Sequence, residues 1–482
     1  MRKKTIVKIT AFLLTMSFLV VGAGCGQKGG NTDAPVNNEN KTEQKTEDVK
    51  TETVPAKEEV TMAEKAKLLA AAEYPAQVLR PSPNDWSEAA QAQNELWRKS
   101  REHEGLVDYS KEMETFCNLF ADAIADRVDE GNTIYSPVNI YMALAMLAEI
   151  TDGKTQDEIL ATLGTDEATF SQVARSIFFS NFSDDGVVTS KIANSLWLRN
   201  NFPYKLDKLE ELKDKYFASS FSGEMGSHEY NAMIQNWLNE NTGNLLQDAA
   251  SEIEFDPSTV LALASTIYFK APWLEEFSKD ATYKQTFHGK SGDKEADFLH
   301  SQKSGTVYSG DGYTAYRKDF NEGGSMMFVL PNEGTTVSEL FKSKKYETLL
   351  FGRIYSGEEN SMFHAKRGDV RFSVPKFDVE DSFELIDALK DMGIKSVMSG
   401  GTSDFTPISD AEGIYLDSAV HAARVKIDEE GCEAAAFTVM MMKNTAFMQP
   451  EIIDFTVDRP FIFVVCDSND VPTFVGVVND IK

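Results

Sequence analysis

The chain has 482 residues, of which 42% are apolar and 11% aromatic, with a formal net charge of −28; this is enough apolar material for a sizeable core. The acidic balance argues against nucleic-acid binding, which needs clustered Lys and Arg, and disfavours adsorption to anionic lipid. The 4 cysteines have no CxxC spacing, the 6 histidines form no HExxH pair, and there is no GxSxG elbow or phosphate loop. The reading is therefore no metal site, no cofactor, no disulfide framework and no enzyme. Length alone suggests roughly three domains.

At the N-terminus, Arg2-Lys3-Lys4 precede an apolar run from Ile9 to Val21 and then Gly22-Ala23-Gly24-Cys25. A bilayer span takes about 20 apolar residues, so the shorter run behind a basic start reads as a secretory signal over residues 1–25. The small residues ending at Cys25 resemble a bacterial lipobox, with Gly22 where Leu is usual. An acylated Cys25 would anchor the exported protein to the outer face of a bacterial membrane; an ordinary signal cut nearby would leave it secreted. Residues 26–60 are rich in Lys, Glu, Thr, Asn and Gln, and bury too little apolar surface to offset chain entropy, so they read as a disordered tether. Residues 61–106 form an extension whose role the sequence does not reveal. Helical character is expected over Met62–Leu69, then broken by Pro75, Pro81 and Pro83, and Trp86 and Trp97 are expected to dock onto something.

The globular region spans 107–482. Met113, Phe116, Cys117, Phe120 and Ile124 fall on one helical face, which makes Cys117 a small core residue. Ser136 before Pro137 is a helix start, with Ile140, Leu144 and Leu147 on its buried side. Strands are expected at 192–198, 261–269, 326–330, 370–374, 461–466 and 474–478, with helical patterns at 233–238 and 383–391. The class is α+β, without the regular alternation of a barrel or doubly wound sheet.

The stretch Lys426–Met448, KIDEEGCEAAAFTVMMMKNTAFM, fits neither a core helix nor an ordinary strand. Read with period two, Cys432, Ala434, Ala436, Thr438, Met440 and Met442 form an uncharged face, small at its start. Glu433 and Lys443 fall on the other. The residues suit a loop able to become a buried strand, but taken alone they favour the plainer reading of a surface loop with a chance Ala run.

Eight segments taken together resemble the serpin family. They are IYSPVNIYMALAMLAEITDGKTQDEIL (134–160), NSLWL (194–198), IQNWLNENTGNLL (234–246), VLALASTIYFKAPW (260–273), MMFVLPNEG (326–334), VRFSVPKFDVEDSFELIDALKDMGI (370–394), VHAARVKIDEEGCEAAAF (420–437), and DRPFIFVV with FVGVV (458–465, 474–478). The resemblance implies one domain of three β-sheets with about nine helices, and an exposed C-terminal reactive loop, in place of the three domains suggested by length. It implies an inhibitor of a serine protease, or of a cysteine protease, that acts as a monomer and a suicide substrate. The cleaved loop inserts as a strand into the main sheet, a behaviour general to serpins. The implied hinge is Glu429, Glu430, Gly431, Cys432, Glu433, Ala434, Ala435 and Ala436, with Cys432 where Thr or Ser is usual. Phe437 replaces an Ala at outward parity.

By the same resemblance, Ser136, Asn139, Ser265 and His421 match the polar shutter beneath the parting strands, with the usual Ser and Asn exchanged between 139 and 265. Trp273 matches the Trp where the loop first enters the sheet. The plainer readings are a helix cap for Ser136 and core roles for His421 and Trp273. The family's spacing from Glu429 puts the scissile bond at Thr445-Ala446, suited to elastase- or subtilisin-like enzymes. Lys443-Asn444 would serve a trypsin-like enzyme, and Met442-Lys443 or Phe447-Met448 a chymotrypsin-like one. The thiol of Cys432 is expected to be exposed in the intact loop and open to oxidation. The alternatives are a non-inhibitory serpin used as a carrier or scaffold, and a lipid-tethered binding protein.

Overall fold

The computed structural model describes residues 66–81, 87–321, 324–347, 349, 363–432 and 451–481. Among the described residues, two hydrogen-bonded sheets hold seventeen strands. The main sheet runs in the order β1 (Lys67–Ala70), β5 (Ala218–Gly223), β4 (Thr189–Arg199), β6 (Leu261–Pro272), β14 (Gly431–Cys432), β13 (Val420–Ile427) and β12 (Phe377–Glu384), with the short β3 (Ser183–Asp184) beside β4. The second runs β15 (Ile452–Thr456), β11 (Phe363–Pro375), β8 (Gly292–Gly310), β9 (Tyr313–Asp319), β10 (Ser325–Pro331), β16 (Phe461–Cys466), β17 (Pro472–Val478) and β2 (Thr133–Tyr135), with β7 (Tyr283–Gly289) beside β8. The multiple sheets of the expected α+β fold are present, and among the described residues their ladders merge into these two. The long β8 explains the merger: it pairs with β7 at one end, β9 at the other and β11 along most of its length.

Ten α-helices are described: α1 (Glu88–Ser100), α2 (Ser110–Ala123), α3 (Pro137–Glu149), α4 (Gly153–Leu163), α5 (Phe170–Ser180), α6 (Leu206–Tyr216), α7 (His228–Asn241), α8 (Gln247–Ser251), α9 (Val337–Ser343) and α10 (Ile386–Asp391). The pattern expected at 383–391 divides, since Phe383 and Glu384 finish β12 before α10 begins. The face of Met113, Phe116, Cys117 and Phe120 is buried as its periodicity required. Ser136 caps α3 by accepting from the amide of Asn139, with Pro137 in the first turn.

Alternation along β4 shows how the main sheet is covered on both faces. Ile192, Leu196 and Leu198 join the core that includes α2–α6, while Ala193 and Trp197 pack with Tyr230, Ile234 and Trp237 of α7. At the other end of the sheet, Ala423, Val425 and Ile427 pack in one cluster with Phe328, Phe372, Phe461 and Phe463 of the second sheet.

The extension belongs to the same compact unit, Met62–Lys482. The helix expected over Met62–Leu69 is instead, from Lys67, the edge strand β1, antiparallel to β5 with Leu68 opposite Phe221. An open sheet edge offers backbone partners that outweigh the weak helical preference of four residues. Beyond it, the Ala72 amide donates to Ser219 Oγ (3.0 Å), and Tyr74 stacks on Phe182 (5.4 Å) beside Phe178 and Phe217. Trp97 docks as expected: its indole donates to Asp185 Oδ2 (3.0 Å), and the guanidinium groups of Arg80 and Arg101 lie 4.8 and 5.5 Å from its ring centre. Trp86, Pro83, Cys25 and the tether lie outside the described residues.

Trp97→Ala should lower stability by about 2 kcal/mol, from the lost indole packing, hydrogen bond and stacked cations. Denaturant titration checks this, and an unmoved midpoint would mean that α1 merely rests on the surface.

Candidate functional site

Two places in the main sheet collect the residues singled out by sequence. The first is the hairpin from β13 to β14. The Asp428 carboxylate accepts the amides of Glu430 (2.9 Å) and Gly431 (3.2 Å), and the Asp428 amide donates to the Gly431 carbonyl (3.0 Å), so the turn is fastened from both sides. Glu429 is buried. Its carboxylate accepts from Lys376 Nζ (2.6 Å) and Thr282 Oγ1 (2.9 Å). Burial pushes its pKa up, but these hydrogen bonds and the Lys376 charge prevail and hold it below the usual carboxylate range. Glu430 pairs with Lys279 (2.6 Å). Gly431 lies opposite Pro272, and a Cβ there would fall on the Ala271 carbonyl oxygen, so only glycine fits.

Cys432 follows, in register with Ala271 on one side and Ile427 on the other, and is only 2% exposed. The expected exposed thiol is therefore not found. The hinge already stands between β6 and β13 at this point, and the oxidation-sensitive loop end foreseen from the sequence is closed off. Trp273 seals the same spot. Its amide donates to the Glu430 carbonyl (2.9 Å), its indole N–H donates to the Asp428 carbonyl (3.0 Å), and its ring stacks on Phe320 (4.8 Å). Glu433, Ala434, Ala435, Ala436, Phe437, Met442, Lys443, Asn444, Thr445 and Ala446 lie outside the described residues.

Beyond this hairpin the sheet has a seam. β4 and β6 are laddered from Thr189 opposite Lys270 to Leu198 opposite Leu261. No ladder joins β6 to β13; among the described residues only Gly431 and Cys432 bridge them. Most of β6 is accordingly half-buried, although its neighbour β4 is almost wholly buried.

The second place lies beneath the seam, where the start of α3 meets both sides. The Ser136 amide donates to His421 Nε2 on β13 (3.0 Å). Asn139 Nδ2 donates to Ser265 Oγ on β6 (2.9 Å), which in turn donates to Asn194 Oδ1 on β4 (2.8 Å). Asn194 Nδ2 then donates to the Tyr216 carbonyl (2.7 Å). The four expected residues are thus brought together, and the exchanged Ser/Asn pair keeps a direct hydrogen bond. Burial drives His421 down to about 3, and its Nε2, accepting an amide proton, is unprotonated.

Asn194 was not anticipated, though a signal existed: it breaks the apolar face that Ile192, Leu196 and Leu198 otherwise share. Lys376 and Thr282, the partners of Glu429, carry no such signal, because their meeting depends on the packed sheets.

The family model described as "Serpin (serine protease inhibitor)" matches residues 111–481. The chain is a serpin. Among curated relatives, human neuroserpin is 30% identical over 368 residues, covering 72% of this chain and 85% of that protein. The crystal structure of a thermophilic serpin, tengpin, in the native state superposes with a TM-score of 0.67 at 22% identity, covering 78% of this serpin and 95% of that chain. Thyroxine-binding globulin in complex with thyroxine gives 0.66 at 23%, covering 77% and 99%. At such identities these structures support the serpin fold alone. Serpins in general inhibit proteases rather than catalyse reactions, and the described residues contain no cluster that could hold a metal ion.

Two predictions follow from the polar network. Ser265→Ala, which strands Asn139 Nδ2 and Asn194 Oδ1, should cost about 1–3 kcal/mol in denaturant unfolding. His421 binds its proton more weakly folded than unfolded, so its contribution is full above pH 6.5 and is lost as pH falls toward about 3. The acid loss of stability should flatten over this window in His421→Gln; an unchanged slope would place the acid sensitivity elsewhere.

Proposed function

We propose that this serpin inhibits a serine-type endopeptidase as a suicide substrate, with loop insertion into the β6–β13 seam as the trapping step. The observation that carries the reading is that seam: two central strands share no ladder of their own, and the hinge already occupies its first register positions. Protease attack at Thr445 forms an acyl-enzyme: the nucleophile oxygen bonds to the carbonyl carbon, the bond to Ala446 breaks, and the new amine takes its proton from the protease's general acid. The freed strand then inserts before water can release the enzyme. The stretch from Glu429 to Thr445, extended, reaches roughly 50 Å, which is how far the bound protease would be carried. Insertion releases energy because the native state is held kinetically above the inserted form. The favoured targets are elastase- or subtilisin-like enzymes, met at the outer face of the membrane if Cys25 is acylated.

Incubation with elastase-, subtilisin-, trypsin- and chymotrypsin-like proteases should yield an SDS-resistant complex of summed mass with at least one. Mass spectrometry of the released C-terminal peptide should begin it at Ala446. Cleavage by every enzyme with no complex and no gain in thermal stability would overturn the reading in favour of a carrier or scaffold. Cys432→Arg would put a guanidinium into the buried position opposite Ala271, so the variant should be cleaved as a substrate with complex formation largely lost. Trapping at the wild-type level would sink the insertion step.

A further inference from the structure

The chain leaving β6, residues 272–277, is held from two sides. On one side are the hinge carbonyls: Glu430 accepts the Trp273 amide and Glu429 the Phe277 amide, both at 2.9 Å. On the other is Lys318, near the end of β9 and only 1% exposed. Its Nζ donates to the Glu275 carbonyl (2.7 Å) and lies 4.2 Å from the Phe277 ring centre and 5.3 Å from that of Trp273. The amine's acceptor and both of its rings therefore sit on the short segment that the hinge grips.

The charged groups around it are already engaged. Glu275 pairs with Lys303 of β8 (3.1 Å), and Asp319, next along β9, accepts from Arg317 Nε (2.9 Å), which also pairs with Asp470 through Nη1. On the hinge, Glu429 is bound to Lys376 and Glu430 to Lys279. Glu276 lies on the gripped segment itself. Burial, with repulsion from Lys303, pulls the Lys318 amine down to about 7 from 10.5, against the pull of Glu275 and Asp319. A neutral amine satisfied by a carbonyl and packed on rings is stable there, whereas an ammonium would lose its hydration.

We propose that parting segment 272–277 from the hinge that grips it takes up one proton, on Lys318. When segment 272–277 shifts, the amine loses its carbonyl and rings, meets water and charges as an ordinary lysine. The closed state has the depressed pKa and the parted state the ordinary one, so the parted state binds the extra proton between about 7 and 10.5. Opening should then become easier as pH falls through this window, by up to about tenfold per pH unit, and level off below it. Its consequence for inhibition rests on the loop insertion proposed above, whereas proton uptake is measured on the uncleaved protein without any protease.

The test is hydrogen exchange of the amides in 272–277 by mass spectrometry at several pH values from 7 to 9.5, each rate divided by its intrinsic rate. In the wild type the protection should rise with pH, approaching tenfold per unit; in Lys318→Met it should be flat. Lys303→Ala, which removes the repelling charge, should start the rise at higher pH. If Lys318→Met does not fold, Lys318→Gln takes its place. A flat wild-type profile, or the same slope in the Lys318 variant, overturns the proposal. A persisting slope in a protein whose cleaved loop gives no gain in thermal stability would uphold proton uptake while removing the insertion reading.

Discussion

A strand in the middle of a sheet normally spends its backbone hydrogen bonds on two neighbours. Among the described residues of this serpin, β6 has a full ladder with β4 only, and its other neighbour along the sheet is the two-residue β14. The rest of the molecule is arranged around that asymmetry. Glycine at 431 lets the hinge lie against the Ala271 carbonyl, the Asp428 turn fixes the point of entry, and Trp273 closes over it. Beneath, α3 binds one side of the seam through His421 and the other through Ser265. The two sides are thus held by side chains that can exchange partners, where a ladder would have locked them.

Much of this was legible in the sequence because local rules and tertiary packing agreed. The cap at Ser136-Pro137, the apolar face of α2 and the alternation along β4 each encode burial with a period that survives folding. The failures came where a partner distant in sequence decided the outcome. Leu68 and Leu69 look helical in isolation, yet the open edge of β5 turns them into a strand. Cys432 has the parity of the uncharged face; that it is buried here depends on its place between β6 and β13, which have no ladder with each other. The buried Lys318 gives no signal at all in a strand that reads as Tyr-Arg-Lys-Asp, since only the packed Trp273 and Phe277 reveal its surroundings.

The charges divide between surface and interior in a similar way. A net charge of −28 keeps the exterior acidic, and most ion pairs near the surface add little. Glu429 is different, being largely withdrawn from water, so its pair with Lys376 also ties the hinge to the strand pair on the far side of the seam. His421 and Lys318 show the opposite solution. Each is buried with no counter-ion in hydrogen-bonding contact among the described residues, and each is held toward its neutral form.

The extension alters how force would pass through the molecule. A pull on the chain ahead of Lys67 would reach β1 before any helix of the family fold, and β1 is hydrogen-bonded to β5 at the edge of the sheet that holds the β6–β13 seam. Tension on the N-terminus would be resisted by β1, the Tyr74 stack and the Trp97 clamp in series. Such tension would load a backbone ladder at the edge of the same sheet whose middle strands β6 and β13 share none.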